Sequence, residues 1–188
     1  VDNILLGGGI IATNHSFIGD LNQIGFFNGV TSNLGIDSGV VLSCGNVFDL
    51  VGPNASGSTS TNFSLPGDPT LDVVIFPDLT NDAAVLEFDF IPTSDTISFK
   101  YVFGSEEYME YAFSSFNDAF GFFLSGPNPS GGNYLNQNLA IVPGTANTPV
   151  TIDNINTLVN SAYYVDNGTG FAAPQNTDPT VIQFDGFT

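Results

Sequence analysis

Glycine and proline residues interrupt this chain so often that they limit the length of any regular element. The 188 residues include 21 Gly and 11 Pro, and between them no apolar pattern of helical period continues for longer than about two turns. Short apolar segments bounded by turn residues are typical of β-proteins. The sequence therefore predicts an all-β fold, a β-sandwich of jelly-roll-like type with long loops.

Two segments in the middle of the chain show the clearest strand pattern. Apolar residues occupy every second position in 84–91 and again in 96–103, which places one set of side chains on a buried face. Paired as a hairpin, the two segments would place Lys100 opposite Glu87. Further strands are predicted at 39–43, 72–75, 120–125 and 150–155.

One short helix is predicted near 105–113, directly after the second of these strands. Ser105 is a suitable N-cap, and Glu106 and Glu107 would lie in the first turn, where the helix dipole favours acidic side chains. Aromatic residues follow at helical spacing. The helix would end after two turns or so.

The charge of the chain is strongly one-sided. It has one Lys+Arg against 19 Asp+Glu and a formal net charge of −18, so it lacks the basic patches that bind nucleic acid or anionic membranes. With 42% hydrophobic residues and 18 Phe it is too apolar for a disordered acidic tail. A compact domain of this charge repels itself, so we expect bound multivalent cations, with Ca²⁺ as the leading candidate; high external salt is the alternative.

Acidic and amide side chains cluster in the way that calcium requires, since the ion binds six to eight oxygen ligands. The first candidate metal-ligand set is Glu106, Glu107, Asn117 and Asp118. The weaker second set is Asp68, Asp72 and Asp82. A solvated helix start and a turn would explain the same residues without a metal, and the sequence leaves both explanations open.

The residues for common catalytic sites are scarce. The chain has one Cys and one His, Cys44 and His15, and no G-x-S-x-G motif surrounds a serine. The glycines at 7–9 lack the lysine of a phosphate-binding loop. We therefore expect no enzymatic activity.

No apolar stretch approaches the length of about 18 residues that a membrane-spanning helix needs. The chain is rich in small polar residues and almost free of lysine, which is typical of exported bacterial proteins. These features predict an extracellular protein that does not insert into a membrane.

An ordered series of motifs gives the sequence a specific resemblance. The clearest are the segments 101–111 (YVFGSEEYMEY) and 116–127 (FNDAFGFFLSGP). Others lie at 34–46, 82–90, 140–145 and 184–188. The series resembles the choice-of-anchor-L family and extends over almost the whole chain.

The resemblance implies a function. The family occurs in exported bacterial surface proteins, and similar modules serve as calcium-dependent peptide-binding domains in RTX adhesins. We therefore expect a non-catalytic, calcium-dependent adhesion module on the bacterial cell surface, which recognises peptide carboxylates on another cell or protein. A lectin-like module that binds glycans is the alternative within this class.

A structural role is the alternative from a different class. The family pattern continues past the Asp-Gly-Phe-Thr motif into further strands, so the resemblance implies that the single module 1–188 lacks C-terminal strands. An open sheet edge would result, and a strand from a neighbouring chain could cover it by self-association. The chain would then be a filament subunit.

Overall fold

A computed structural model of the protein describes residues 5–6, 10–93, 95–168 and 176–188. Strands predominate in these residues, with one short α-helix. The strands are β1 (Ile10–Ile18), β2 (Ile24–Asn28), β3 (Ser38–Leu42), β4 (Val85–Pro92), β5 (Gly104–Ser105), β6 (Ala119–Phe120), β7 (Phe123–Pro127), β8 (Asn133–Asn138), β9 (Val150–Thr151), β10 (Val165–Asp166) and β11 (Gly186–Phe187). Helix α1 is Pro69–Val74, and 3-10 turns lie at Leu21–Gln23, Val47–Leu50 and Ser161–Tyr163.

The longest ladder joins β1 to β4 in antiparallel register. Glu87 lies opposite Ser16, whose hydroxyl donates to the Glu87 carboxylate at 3.3 Å. A register shift between Thr13 and Ser16 interrupts the ladder, and Asn14 at this irregularity has a positive φ of 53°. The prediction of a strand at 84–91 is confirmed, because alternate residues of β4 are turned away from solvent.

The other ladders are also antiparallel. β2 pairs with β3, β6 with β9, and β7 with β8, while β11 lies between β10 and β5. The turn between β7 and β8 is closed by a hydrogen bond from the Asn128 amide to the Gly132 carbonyl at 3.1 Å. β8 occupies most of the Gly-, Pro- and Asn-rich segment that follows β7, whereas 52–67 carries only isolated bridges.

The predicted hairpin between 84–91 and 96–103 is wrong. Residues 96–100 do alternate in exposure, but 96–103 is not part of a strand ladder, and β4 pairs with β1 instead. Lys100 therefore does not face Glu87. Alternation predicts which face of an extended segment is buried and carries no information about its partner.

The strand predicted at 72–75 is also wrong, because these residues belong mostly to α1. The Asp68 carboxylate accepts hydrogen bonds from the amides of Thr70 and Leu71, at 2.8 and 3.0 Å, and Pro69 occupies the first turn. An Asp N-cap followed by Pro is a helix-start signal, and it outweighs the β-branched residues that follow it.

The helix predicted near 105–113 does not form. Ser105 ends β5, and the residues from Glu106 to Ser115 make a series of turns. Their backbone hydrogen bonds include Ala112 to Met109 and Ser114 to Tyr111, which are three-residue steps. A surface helix needs a solvent-exposed face, but none of the residues 105–112 is exposed, so the segment turns its side chains inward on several sides.

The hydrophobic core lies beside this turn. Ala140, Val142, Val150 and Ile155 are buried together, with Phe103, Phe120, Phe122 and Tyr164 packed against them. Ring contacts join Tyr101 to Phe120 and Phe99 to Phe122, with centroids 4.8 and 4.6 Å apart. Short antiparallel ladders packed around such a core agree with the predicted all-β, sandwich-like fold.

The helical content is small. The one α-helix of the described residues has six residues, and none of the helices in this part of the chain is long and apolar enough to cross a membrane.

Candidate functional site

Ser105 links two of the predicted ligands. Its hydroxyl donates to the Asp118 carboxylate at 2.6 Å and accepts from the Glu107 amide at 2.9 Å. The backbone at Ser105 is fixed by pairing of β5 with β11. The link therefore brings Glu107 and Asp118 to the same region, as the sequence predicted.

Asn117 and Asp118 are held in place by the segment after β9. The Asp118 carbonyl accepts from the Ile152 amide at 3.1 Å, and the Asn117 side-chain oxygen accepts from the Asp153 amide at 3.4 Å. Pairing of β6 with β9 continues this attachment. The Asn117 oxygen thus points to a backbone donor of the protein.

The protein donates hydrogen bonds to only one of the two carboxylate oxygens of Glu106. One oxygen, Oε1, accepts from the Thr59 amide at 2.8 Å and from the Gln183 side chain at 3.1 Å. The other, Oε2, is buried and has no hydrogen-bond partner in the described structure.

Asp185, which is distant from Glu106 in sequence, likewise has one carboxylate oxygen with a hydrogen bond and one without. It is 0% exposed, and its Oδ1 accepts from the Asn54 side chain at 2.9 Å. Its Oδ2 is buried and has no hydrogen-bond partner among the described residues.

Glu110 and two tyrosines complete the arrangement. Both carboxylate oxygens of Glu110 and the hydroxyls of Tyr108 and Tyr164 are buried and without a hydrogen-bond partner in the described structure. The two tyrosine rings contact each other with centroids 4.9 Å apart. We call the five acidic residues of this region the carboxylate pocket: Glu106, Glu107, Glu110, Asp118 and Asp185.

The pKa values in the pocket reflect burial and mutual repulsion. Desolvation raises the pKa of Glu107 to about 7, with further contributions from the charges of Asp118, Glu106 and Glu110. Desolvation likewise raises the pKa of Asp185 to about 7, partly opposed by the hydrogen bond from Asn54. Every charged neighbour that shifts these two pKa values is another carboxylate.

Burial also acts on the remaining carboxyls. It raises the pKa of Asp118, against the effect of the Ser105 hydroxyl, and it raises the pKa of Glu106, against donors that include the Thr59 amide. The pocket is therefore a region where negative charge is costly and has no positive side chain to balance it.

The ligand types in the pocket suit calcium, but the carboxylates do not converge on one point. Its oxygens are carboxylates and hydroxyls, the hard ligands that calcium prefers. However, no group of three Asp, Glu, His or Cys side chains within the described residues is arranged so that it could hold a metal ion. A cation here would need water or carbonyl ligands, or a change in a side-chain position.

The second predicted ligand set lies elsewhere, around α1, and its carboxylates are occupied by the chain itself. Asp68 caps α1. Asp72 accepts from the amide and the hydroxyl of Thr80, both at 2.7 Å, and these bonds lower its pKa. Asp82 is buried and accepts from the amides of Phe63 and Leu65. These contacts give the three residues structural roles.

Two acidic residues of the pocket were missing from the predicted ligand sets. Glu110 lies in the same motif as Glu106, and its spacing was visible in the sequence. Asp185 is distant in sequence, and the signal that could have indicated it is its place in the Asp-Gly-Phe-Thr motif at 185–188.

Comparison with known proteins gave one match. A family model described as the Choice-of-anchor L domain matches residues 1–188, which is the whole chain. No curated protein and no solved structure matched the sequence.

Proposed function

The chain belongs to the choice-of-anchor L family, and from this premise we propose that it is a non-catalytic, calcium-dependent recognition module that binds peptide carboxylates. The family indicates a surface-anchored bacterial protein and is not a family of enzymes. The proposal adds the extracellular setting, the role in adhesion, the metal and the class of ligand.

The single observation that carries the proposal is the carboxylate pocket. Five acidic residues share one region, and the protein has one Lys+Arg in total. Buried carboxylates that repel one another are unfavourable unless a cation or protons neutralise them. Calcium binding would remove this cost and supply a positive centre for a negatively charged ligand.

The part of the carboxylate pocket around Glu107 and Asp118 is where the ligand would bind. Ser105 links the Asp118 carboxylate to the backbone amide of Glu107, and Glu107 is only partly buried. Exposed aromatic rings lie between Glu107 and Asp118 in the sequence, with Phe113 and Phe116 each 55% exposed. These rings would give apolar contact to a ligand whose carboxylate lies at the metal.

Peptide and glycan arrays read in calcium and in excess chelator test the proposal. Each peptide is printed with a free and with an amidated C-terminus, so that the pair differs in one carboxylate. We expect binding to free C-termini in calcium, and loss of binding on amidation or chelation. Binding to glycans alone would replace the peptide ligand by the lectin-like alternative, and binding to neither class in calcium would contradict recognition.

A structural role in a filament is the second candidate, and the strand edges favour it. Within the described residues β1 and β4 pair only with each other, so each has an outer edge to which a strand of another chain could add. Light scattering in calcium tests this role. A filament subunit should associate with increasing concentration, whereas a stable monomer counts against it.

A further inference from the structure

Residues 97–102 have the character of a strand but no strand partner in the described part of the chain. They belong to no ladder and to no isolated bridge there. The rings of Phe99 and Tyr101 contact Phe122 and Phe120, with centroids 4.6 and 4.8 Å apart. Because these two rings are two positions apart and share one side, the segment is held as a strand with its backbone open to pairing.

Strand β4 has an outer edge that no described strand covers. Its ladder partner among these residues is β1, so the opposite edge presents backbone groups to which a strand can add. The exposed face of β4 carries Glu87 and Asp89, and the face turned away from solvent carries Phe88 and Phe90. One chain therefore contains two strand edges, β4 and 97–102, that do not pair with each other.

One antiparallel register of these two edges matches their faces. It places Glu87 opposite Lys100 and Asp89 opposite Ser98, and all four side chains are exposed. The same register places the half-buried Phe88 and Phe99 opposite each other. A register shifted by one residue would exchange the two faces and turn charged side chains toward the apolar side.

Charge and backbone chemistry distinguish this register from those shifted by two residues. Lys100 is the one residue of Lys+Arg in the chain, and here it lies opposite an acid. A shift in one direction would place it opposite Val85 and lose the charge pair. A shift in the other direction would extend the ladder to Pro92, which has no backbone amide to donate.

Within one chain the two edges are attached to different partners. β4 is paired with β1, the rings of 97–102 lie on Phe120 and Phe122, and residues 92–95 form the short connection. Short connections of this kind favour exchange of strands between copies, because each copy can make the pairing with its neighbour instead. A second copy of the chain offers a complementary set of edges, faces and charges.

We propose that two copies of this chain form a closed dimer, in which 97–102 of each copy adds to the outer edge of β4 of the other. A twofold axis relates the two contacts, so the assembly ends at two copies. The interface goes beyond the filament role, since it uses reciprocal contacts and leaves the edge of β1 free. It depends on neither calcium nor a peptide or glycan ligand.

The net charge of the chain opposes association only in part. Each copy carries a formal charge of −18, but the Debye length is about 8 Å at physiological salt, so charges far from the interface are largely screened. The charges that lie opposite each other then decide the outcome. The proposed register joins Lys100 of one copy to Glu87 of the other at both contacts.

Sedimentation velocity at about 0.15 M salt, in chelator, measures the association. We expect a monomer–dimer equilibrium without larger species. Lys100→Glu would set like charges opposite each other at both contacts, and the dimer should weaken about tenfold. The exchanged variant, Lys100→Glu with Glu87→Lys, restores opposite charges and should regain an affinity close to that of the wild type.

Disulfide formation between copies tests the register directly. Cys44 is the one cysteine of the chain, so Cys44→Ser provides a background without cysteine. In this background, Glu87→Cys and Lys100→Cys are refolded together and oxidised, since opposite Cβ atoms of an antiparallel pair lie about 5 Å apart. We expect a mixed disulfide between positions 87 and 100. Lys100→Cys mixed with Asn133→Cys, an exposed position of β8, is the control and should give little.

Four results would overturn the proposal. They are a chain that stays monomeric at every concentration, a mixed disulfide no more abundant than in the control, an exchanged variant that associates as weakly as Lys100→Glu, and an assembly that grows past two copies. The last result would support the filament role instead. Because the dimer needs no ligand, a negative result on the peptide and glycan arrays would leave it intact, so the two proposals fail separately.

Discussion

The side-chain amide of Asn54 donates to Oδ1 of Asp185 at 2.9 Å, across 131 positions of sequence. The same amide group donates to the carbonyl of Asn167 at 3.1 Å, and the Asn54 oxygen accepts from Gln183. Asn54 is 0% exposed. One buried amide therefore joins the loop after β3, the segment after β10 and the segment before β11.

Replacing Asn54 by Ala should destabilise the fold by about 2–3 kcal/mol. The change leaves buried acceptors without donors, one of them the Asp185 carboxylate, and unsatisfied buried groups of this kind are costly. Urea unfolding measures the loss. Asn133→Ala in β8, where the side chain is exposed, is the control and should change stability little; equal stability of the two variants would contradict the role of Asn54.

Gly186 should not tolerate a side chain. A Cβ there would lie 2.5 Å from Cε2 of Tyr164 and 2.8 Å from Cδ2 of Tyr108. We expect Gly186→Ala to cost about 1–3 kcal/mol through overpacking. Gly45→Ala is the control, because its added Cβ would have no neighbour nearer than 3.4 Å. Thermal unfolding of both variants provides the measurement, and similar melting temperatures would show that the tyrosine pair can yield.

Removal of calcium should lower the melting temperature. An ion bound only by the folded state stabilises that state by mass action, so the melting temperature should rise with calcium concentration. Calorimetry in a calcium series and in excess chelator measures it, with metal analysis to confirm that the ion has been removed. An unchanged melting curve in metal-free protein would contradict calcium binding by the pocket as a whole.

The double variant of Glu106→Gln with Glu107→Gln should bind calcium more than tenfold more weakly, a loss of more than about 1.4 kcal/mol. Glutamine keeps the size of each side chain and removes two charges from the pocket. The control removes two charges from exposed positions of β4, by Glu87→Gln with Asp89→Asn. Titration calorimetry compares the two proteins, and wild-type stoichiometry and affinity in the first would show that neither glutamate is a ligand.

The calcium-free protein should lose stability as the pH rises from about 4 to about 7. The pKa of Asp185 is raised from 3.8, and that of Glu107 from 4.5, each to about 7. In this interval the folded state therefore keeps protons that the unfolded chain has released, and this stabilises the folded state. The stabilisation is complete below the unfolded-state pKa values and is lost as the pH rises through the folded-state pKa values. Asp72 has a lowered pKa and acts the opposite way at more acid pH.

Urea unfolding in chelator at a series of pH values tests this dependence. The free energy of unfolding should fall across the interval, and added calcium should restore it most at the upper end, where the carboxyls are ionised. A free energy that rises from about pH 4 to about pH 7 would show that other groups control the titration.

The sequence predicted individual elements better than their partners. Alternation identified β4 correctly, because one face of it is turned away from solvent. The same rule failed at 96–103, where residues 96–100 alternate in exposure but the segment does not join a ladder. Pairing depends on contacts between distant segments, such as β1 with β4, and local periodicity does not contain that information.

The site was predictable only in part, for a similar reason. Charge clustering drew attention to Glu106, Glu107 and Asp118, which are close in sequence. Asp185 joins them because β11 lies beside β5, a relation that no local pattern indicates. At Asp72 the charge argument was incomplete, because it did not count the backbone and hydroxyl donors of Thr80.

The long sequence separations around the 182–185 segment also determine when the pocket can assemble. The Asn33 side chain accepts from the Ile182 amide across 149 positions, and Asp185 reaches Asn54 across 131. During synthesis, which proceeds from the amino end, the acids at 106–118 exist as ordinary solvated groups well before Asp185 has been added. Contacts that close such long loops form slowly. The repulsion that Glu106 and Glu110 exert on Asp185 therefore begins only when the 183–188 segment docks against the turn after β5.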